Sequence, residues 1–304
     1  MVCEVLFMEG GSIRMSLRFN KWLNVLYILP ILIFLGVFIY YSLFDTLITS
    51  FYKWNGISVE NKLFIGLDNY VELFTDPIFY QAMKNTFIYM VLTLLIQMVL
   101  GLFIALLLKT NVKSKSVYKT IFFLPVVLSH SVVAYVFRHI YDANDGNLNH
   151  MLHALGLDFM ALAWLADPDI ALYSIIAINI WAWTGFSFVM YYAALSLIDK
   201  ELYEAAKIDG AGPLRTVIGI TFPLLRSTHF SLIILGVIGS LKQFDYVYLT
   251  TGGGPGRASE MISTYIYKKA ILEYNAGYSS ALAMILLVIA LLITVIQLRA
   301  YRNP

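Results

Sequence analysis

Residues 201–211, Glu-Leu-Tyr-Glu-Ala-Ala-Lys-Ile-Asp-Gly-Ala, form a polar segment between two long apolar runs of the chain. Asp199 lies where a helix N-cap belongs, and Glu201 falls in the first turn, where a negative charge is favourable near the free amides. Asp209 and Gly210 then supply a turn, because glycine tolerates the backbone angles that end a helix. The segment therefore predicts a short helix that stops at a defined turn.

A second short helix is predicted directly after this turn. Pro213 suits the first position of a helix, where a backbone N–H has no partner anyway, and Pro223 is expected to end the helix. Residues 199–223 would then fold as a helix-turn-helix in a place where a plain connector would suffice. A loop that builds its own structure favours a docking surface for a partner.

The composition places this chain in a lipid bilayer. Hydrophobic residues make up 60% of it and charged residues 13%, with a mean hydropathy of +0.74, whereas a soluble domain carries about 25% charged residues. The single cysteine, Cys3, excludes an internal disulfide. The net charge of +2 gives no sign of a nucleic-acid partner.

Six segments are long and apolar enough to cross a membrane, since about 20 helical residues span its hydrocarbon core. They lie at about 22–44, 86–108, 120–140, 171–194, 228–249 and 280–298. The first is too long for a signal peptide, and five more spans follow it. The predicted fold class is an all-α integral membrane protein, with residues 1–21 as a cytoplasmic N-terminal leader and residues 22–304 as one six-span domain.

The basic residues predict which way the spans run. If the N-terminus lies in the cytoplasm, 13 of the 21 basic and 6 of the 19 acidic residues fall on that side, which leaves 8 basic and 13 acidic residues outside. The inner side then carries a net charge of +7 and the outer side −5. The positive-inside rule therefore predicts that both termini and residues 199–223 face the cytoplasm.

The sequence shows no constellation of catalytic residues. Residues 252–256, Gly-Gly-Gly-Pro-Gly, lack the Lys and Ser/Thr of a phosphate-binding loop and follow a span on its outer side. The five histidines are not spaced as metal ligands on a convincing scaffold, so no metal site is expected. Any ATP hydrolysis must come from another chain.

Polar side chains inside the spans are a better lead, because they are costly in lipid and usually face a bundle interior or a water-filled path. At about 1.5 Å per helical residue, His130, Asn179 and Gln243 all fall between mid-membrane and the outer third of their spans. Their neighbours in sequence add aromatic and hydroxyl groups, namely Trp181, Trp183, Phe186 and Ser240.

A pocket that combines amides, hydroxyls and aromatic rings suits a sugar, whose hydroxyl groups need hydrogen bonds and whose C–H faces pack on rings. Two other readings stay open. The polar groups can hydrogen-bond neighbouring helices instead, and Trp181 and Trp183 can serve as interfacial anchors. Lys242 and Asp245 lie three residues apart on one helix face and are predicted to form an ion pair.

The segment around Glu204 also carries a family resemblance. Glu204-Ala205-Ala206 and Gly210, followed by Ile220 and Pro223, resemble the EAA loop of membrane subunits of binding-protein-dependent ABC importers. Further segments look like signatures of the carbohydrate-uptake permeases related to the larger membrane subunit of the maltose transporter and to glycerol-3-phosphate permease subunits. They are Gly66-Leu67-Asp68-Asn69-Tyr70, Phe123-Leu124-Pro125, Phe244-Asp245 and Thr251-Gly252-Gly253-Gly254-Pro255. The chain lacks the two extra N-terminal spans and the large outer domain of the maltose subunit.

This resemblance implies a type I ABC importer transmembrane domain with a cytoplasmic EAA coupling helix at residues 201–208. Glu204 would pair with a basic group on a cytoplasmic ATPase, and Gly210 would permit the turn. The residues implied in ATPase coupling are Glu201, Glu204, Ala205, Ala206, Lys207, Asp209, Gly210 and Pro223.

Ungapped matching to the sugar site of the maltose subunit implies contact positions inside the spans. They are His130, Asn179, Trp181, Ala182, Trp183, Phe186, Ser240 and Gln243. Identities agree only at Asn179 and Trp181, so the architecture of the site is expected to transfer while its specificity is not. The partner permease, rather than this chain, could also hold the substrate.

The implied function is that of one of two membrane subunits in an ATP-driven importer of a sugar or oligosaccharide in the cell membrane. It would work with a second homologous permease, two cytoplasmic ATPases that bind ATP and Mg, and an extracellular or periplasmic solute-binding protein. This chain itself would hold no cofactor and catalyse no reaction. The alternatives are a permease for another polar solute such as a glycerophosphate, an ion-coupled secondary transporter, with Asp245 as its deep carboxylate, and a non-transporting scaffold.

Overall fold

A computed structural model describes residues 21–58, 60, 62–110 and 112–302. In this part of the chain, the helices long and apolar enough to cross a membrane are Tyr27–Thr49, Pro77–Lys109, Ala171–Ser196 and Ala276–Tyr301. Two helix pairs bent at a break add two more spans when each pair is counted once. The predicted all-α membrane fold is confirmed. Cys3 and the predicted leader, apart from Lys21, lie outside the described residues.

The helices follow one another with few other elements. In chain order they are α1 (Lys21–Leu35), a π turn (Gly36–Tyr40), α2 (Tyr41–Thr49), α3 (Asp68–Thr75), α4 (Pro77–Lys109), α5 (Lys115–Val127), α6 (His130–Ile140), α7 (Asn147–Ala154), a 3₁₀ turn (Asp158–Met160), α8 (Ala171–Ser196), α9 (Lys200–Ile208), α10 (Pro213–Thr216), a π turn (Val217–Thr221), α11 (Phe222–Leu224), α12 (Arg226–Leu241), α13 (Asp245–Thr250), α14 (Ile262–Tyr267), a π turn (Lys268–Leu272) and α15 (Ala276–Arg302). Between α2 and α3, β1 (Tyr52–Lys53) pairs antiparallel with β2 (Leu63–Phe64), and Tyr52 lies opposite Phe64.

Helices α4 and α8 form the centre of the bundle. Gly101 on α4 permits their close approach, because a Cβ added there would lie 2.7 Å from the Cβ of Ser187 and 2.8 Å from the backbone nitrogen of Phe188. Phe188 and Tyr191 on α8 are buried in the same core as Leu108 of α4. Since lipid provides no hydrophobic drive between spans, such contacts through small residues hold membrane helices together.

Replacing Gly101 with alanine is therefore expected to destabilise the protein. The added methyl group forces α4 and α8 apart, at a cost of about 1–3 kcal/mol, and should lower the thermal unfolding midpoint of the purified protein. Gly239→Ala is the matched control, because a Cβ on that helical glycine meets open space, and alanine is worth up to about 1 kcal/mol over glycine in a helix. Equal midpoints for both variants would contradict this account of the α4–α8 contact.

The third span is bent by 96° between α5 and α6. Pro125 in the last turn of α5 removes a backbone donor, and the chain is extended at Leu128 and Ser129 before α6 begins. Gly185 allows α5 to pack closely against α8, since a Cβ at this position would lie 2.1 Å from the carbonyl oxygen of Phe122. The bend thus sets the first residue of α6, His130, beside α8 in the interior of the bundle.

A second bend, of 67°, separates Pro213–Leu224 from Arg226–Leu241. The helix that starts at Pro213 runs one residue past Pro223, through the π turn, and breaks at Leu225. Pro223 has no N–H for the carbonyl oxygen four residues earlier, which accounts for the widened turn before it. The prediction that Pro223 itself ends the helix is wrong by one residue.

The fifth predicted span, 228–249, is wrong as a continuous helix. Helix α12 ends at Leu241 and α13 begins at Asp245. The interruption carries Lys242 and Gln243, which line the cavity described below. Irregular backbone at membrane depth is tolerated where it lines such a cavity. The average hydrophobicity of residues 228–249 did not indicate this interruption.

The end of the bundle opposite the loop 199–223 is tied by buried polar groups. The Asn69 amide donates to the carbonyl oxygens of Ser50 and Tyr52, at 2.8 and 3.0 Å. It thereby fastens the start of α3 to the segment that follows α2. The motif Gly66–Tyr70 therefore contains a residue with a structural role, because Asn69 holds these two segments together.

Asp76, the N-cap of α4, connects three helices at this end. Its carboxylate accepts hydrogen bonds from Tyr265 of α14 and from Tyr278 of α15, the latter at 2.7 Å. Burial raises the pKa of Asp76, but these two hydrogen bonds and one from the backbone of Ile78 outweigh it and hold the pKa below its usual value. The carboxylate therefore stays ionised as the joint of the three helices.

The glycine-rich segment after α13 encloses a buried ion pair. Glu260, whose side chain has no exposed surface, pairs with Lys268 and accepts a hydrogen bond from Thr264 at 2.6 Å. Gly253 adopts φ +86°, and a Cβ there would lie 2.8 Å from the Glu260 carboxylate. Asn85 of α4 donates to the Glu260 carbonyl oxygen at 2.9 Å. The segment closes this end of the bundle.

Candidate functional site

A cavity of about 470 Å³ lies inside the bundle, among helices α4, α6, α8 and α12. Six of the eight contact positions implied by the resemblance line it: His130, Asn179, Trp183, Phe186, Ser240 and Gln243. Its volume falls within the range of sites for small molecules. The structure thus brings together residues of three spans, whereas sequence analysis could estimate only the depth of each residue within its own span.

Trp181 is one of the two exceptions. The described residues that line the cavity do not include it, its surface is 46% exposed, and its ring packs edge-on against Phe137 at 5.3 Å between centroids. Asn179, Trp183 and Phe186 are spaced by four and three residues and share one helix face, whereas Trp181 lies on the other side. Placing Trp181 in the pocket is therefore wrong, even though its identity matches the maltose subunit. Ala182, also named from that match, is buried in the core around α8.

Helix α4 contributes polar residues that sequence analysis missed. Tyr89, Thr93 and Gln97 line the cavity from this span, and their spacing of four residues marks one helix face. That spacing of polar groups in an apolar span was the available signal. The Gln97 amide donates to the side-chain oxygen of Asn179 at 2.7 Å and to its backbone oxygen at 3.1 Å.

The bond from Gln97 fixes how the cavity presents Asn179. Because the side-chain oxygen of Asn179 is engaged, its NH₂ group is the part left to donate to a ligand. The hydroxyl of Tyr89 and the amide nitrogen of Gln243 are buried and find no hydrogen-bond partner among the described residues. Buried polar groups are almost always paired, so these two atoms leave the polar side of the cavity unsatisfied in this arrangement of the helices.

The ionisable groups of the cavity pair differently from the prediction. Asp245 lies 3.0 Å from the Nδ1 atom of His130, and within the described chain it forms no ion pair with Lys242. The predicted Lys242–Asp245 pair is therefore wrong. The helix break at Gln243 removes the three-residue helical spacing on which the prediction rested and turns Asp245 toward α6.

The loop 199–223 forms the predicted helix-turn-helix. Asp199 occupies the N-cap position of α9, although its side chain makes no capping hydrogen bond. Gly210 takes φ +74°, the left-handed conformation that ends the helix, and Pro213 opens α10. Ala206 is buried, and the other residues named for coupling within α9 and its turn are exposed: Glu201, Glu204, Ala205, Lys207 and Asp209.

The exposed surface of this loop is partly apolar. Ile208 is 86% exposed, Leu214 73% and Leu202 44%. Leu202 and Ile208 lie with Glu204 on α9, a helix of only nine residues, and Leu214 lies on α10. Large apolar side chains next to charges on a short structured loop are typical of a protein-binding surface.

Known proteins resemble this chain over most of its length. The family described as "Binding-protein-dependent transport system inner membrane component" matches residues 82–303. The "Probable ABC transporter permease protein YurN" of Bacillus subtilis (strain 168) is 39% identical over 286 residues, which cover 93% of this chain and 97% of that protein. The lactose transport system permease protein LacF of Rhizobium radiobacter is 31% identical, with 96% and 97% covered.

The fold also matches solved structures. A bacterial ABC transporter involved in the import of the acidic polysaccharide alginate contains a chain that superposes with a TM-score of 0.81 at 27% identity, covering 93% of this chain and 96% of that one. A structure of a bacterial alginate ABC transporter in complex with an alginate pentasaccharide-bound periplasmic protein also matches, with a TM-score of 0.79.

Proposed function

From the premise that this chain belongs to the family of binding-protein-dependent transport system inner membrane components, as a permease subunit of a sugar-importing ABC transporter, we propose how its two sites divide the work. The cavity among α4, α6, α8 and α12 binds the sugar in transit. The loop 199–223 docks a cytoplasmic ATPase that drives the change of access. The chain itself performs no catalysis, and ATP and Mg bind to the ATPase chains.

The mixed polar and aromatic lining of the cavity carries the proposal. Tyr89, Asn179, Ser240 and Gln243 supply hydroxyl and amide groups, and Trp183 and Phe186 supply rings. A sugar supplies hydroxyls for the first set and C–H faces for the rings. His130 and Asp245 add a further donor–acceptor pair at the same wall.

The coupling proposal rests on α9 and its turn. The exposed residues of this short helix and its C-terminal turn are Glu201, Glu204, Ala205, Lys207 and Asp209. Ala206 is buried and packs the helix against the rest of the protein, and Gly210 forms the turn that ends it. Glu204 offers a carboxylate to a basic group of the ATPase, and Ile208 and Leu214 offer apolar area. Pro223 lies next to the bend of the fifth span, so movement of the loop reaches that span directly.

The basic bias of the sequence supports the orientation in which this loop and both termini lie in the cytoplasm. The opposite end, with α3, α7 and the glycine-rich segment, then faces the binding protein that delivers the sugar. A second, homologous permease completes the pathway. The structure of a bacterial alginate ABC transporter in complex with a periplasmic protein supports the binding protein as a partner.

The test is ATP hydrolysis by the complex of this chain with its partner permease, ATPases and binding protein, reconstituted in vesicles. A panel of mono-, di- and oligosaccharides, with glycerophosphates alongside, is offered to the binding protein. We expect at least one saccharide to stimulate hydrolysis and to accumulate inside the vesicles. Stimulation by a glycerophosphate alone would favour the other polar solute, for which cavity-lining Lys242 supplies a cation. Stimulation by neither would refute the proposal.

A further inference from the structure

The bend in the fifth span leaves a backbone carbonyl to be satisfied. Phe222 stands before the break and Arg226 after it, and in this fully described stretch no bond between the Phe222 oxygen and the Arg226 nitrogen continues the helix. The Nε2 atom of His229, in the first turn of α12, lies 3.1 Å from the Phe222 oxygen. A freed carbonyl inside a membrane span needs such a donor, so His229 fastens the two halves of the bend to each other.

The other nitrogen of His229 reaches a second span. Its Nδ1 atom lies 2.7 Å from the hydroxyl of Tyr191 on α8, a residue that is 1% exposed. A carbonyl can only accept, so Nε2 carries the proton of the neutral imidazole, and Nδ1 accepts from the Tyr191 hydroxyl. The Tyr191 hydroxyl of α8 therefore donates to His229 of α12, and His229 in turn donates to the Phe222 carbonyl oxygen of α11.

The coupling helix touches the same joint from the other side. The hydroxyl of Tyr203 on α9 lies 3.3 Å from the Oγ1 atom of Thr221, the residue immediately before Phe222. Helix α8, which holds Tyr191 near one end, carries Asn179, Trp183 and Phe186 at the cavity. A continuous set of contacts thus joins α9, the bend, α12 and α8.

We propose that Tyr191, His229 and Tyr203 are positioning residues that transmit movement of the coupling helix to the sugar cavity. Without these hydrogen bonds, a displacement of α9 would change only the angle of the bend and would not reach α8 or α12, because a break in a helix is where its angle can change. With His229 bonded on both sides, α8 and α12 move with the loop. This inference rests on the proposed function, because it concerns the coupling between ATP hydrolysis and transport.

Tyr191→Phe tests it, since the change removes one hydroxyl and keeps the buried ring. The readout is the number of sugar molecules imported per ATP hydrolysed by the reconstituted complex. We expect sugar-stimulated hydrolysis to persist while this ratio falls about 5-fold or more, the lower end of energetic coupling between sites. Tyr192→Phe is the matched control: this neighbouring tyrosine faces Lys119, 3.8 Å from its ring, and not the bend, and its ratio should equal that of the wild type.

His229 supplies a second series. His229→Gln keeps an amide donor for the Phe222 oxygen and should retain more coupling than His229→Leu. An unchanged ratio in Tyr191→Phe, or a parallel loss of hydrolysis, transport and thermal stability in all variants, would overturn the inference. The wild-type complex distinguishes failure of the proposed function from failure of this inference. If the wild type shows no sugar-stimulated hydrolysis, the proposed function itself fails. If the wild type and Tyr191→Phe import the same number of sugar molecules per ATP hydrolysed, only the role of Tyr191 in coupling is refuted.

Discussion

Glu204→Lys is expected to abolish sugar uptake and to reduce the amount of ATPase that co-purifies with this chain. The carboxylate is exposed on α9, one helical turn from the exposed apolar side chain of Ile208. If it pairs with a basic group on the ATPase, charge reversal both removes an attraction and adds a repulsion, at a cost of several kcal/mol for close charges. Each 1.4 kcal/mol lost is about tenfold in affinity, so docking should fail at cellular concentrations.

Glu72→Lys is the matched control for this change. Glu72 is an exposed acidic residue on another short helix, α3, at the opposite end of the bundle. The same substitution there should leave the yield of co-purified ATPase unchanged. Membrane insertion of both variants is checked by their amounts in isolated membranes. Normal uptake and normal ATPase recovery with Glu204→Lys would contradict docking at α9.

Trp183→Ala is expected to raise the sugar concentration needed for half-maximal transport by about 10-fold or more. The indole lines the cavity beside Phe186, with ring centroids 6.1 Å apart. Truncating an aromatic hot spot costs about 2 kcal/mol or more, and each 1.4 kcal/mol is about tenfold in affinity. Asn179→Ala should act in the same direction, because it deletes the donor that Gln97 holds toward the cavity. The measurement is initial uptake into vesicles over a range of sugar concentrations.

Trp181 provides the internal comparison. It lies two residues from Trp183 on the same helix, but its ring packs on Phe137 and faces away from the cavity. Trp181→Ala should leave the half-saturating concentration within about 2-fold of the wild-type value. Equal effects of Trp181→Ala and Trp183→Ala would dismiss the cavity as the sugar site.

Local sequence signals predicted the loop 199–223 well. The N-cap position of Asp199, the left-handed turn at Gly210 and the start of a helix at Pro213 all depend on residues within a few positions of one another. Turn and helix-start preferences act at that range. The structure shows the same helix-turn-helix for that reason, although the Asp199 side chain makes no capping hydrogen bond.

The cavity was predicted in part, because its members are distant in sequence. Residues of α8 on one face could be found from helical periodicity, which would also have excluded Trp181. The contacts from Gln97 to Asn179 and from His130 to Asp245 join positions 82 and 115 residues apart, and only the packing of the spans reveals them. The helix break at Lys242 and Gln243 likewise carries no local signal, because no Pro or Gly lies at that point.

The ion pair under the glycine-rich segment constrains how this protein can diverge. Loss of Glu260 alone would strand the Lys268 ammonium, and loss of Lys268 alone would strand a carboxylate with no exposed surface; breaking a buried pair in this way costs about 3–5 kcal/mol. Any side chain larger than glycine at Gly253 would strike the carboxylate. We therefore expect these three positions to tolerate substitution only together, with the whole cap rebuilt around the change.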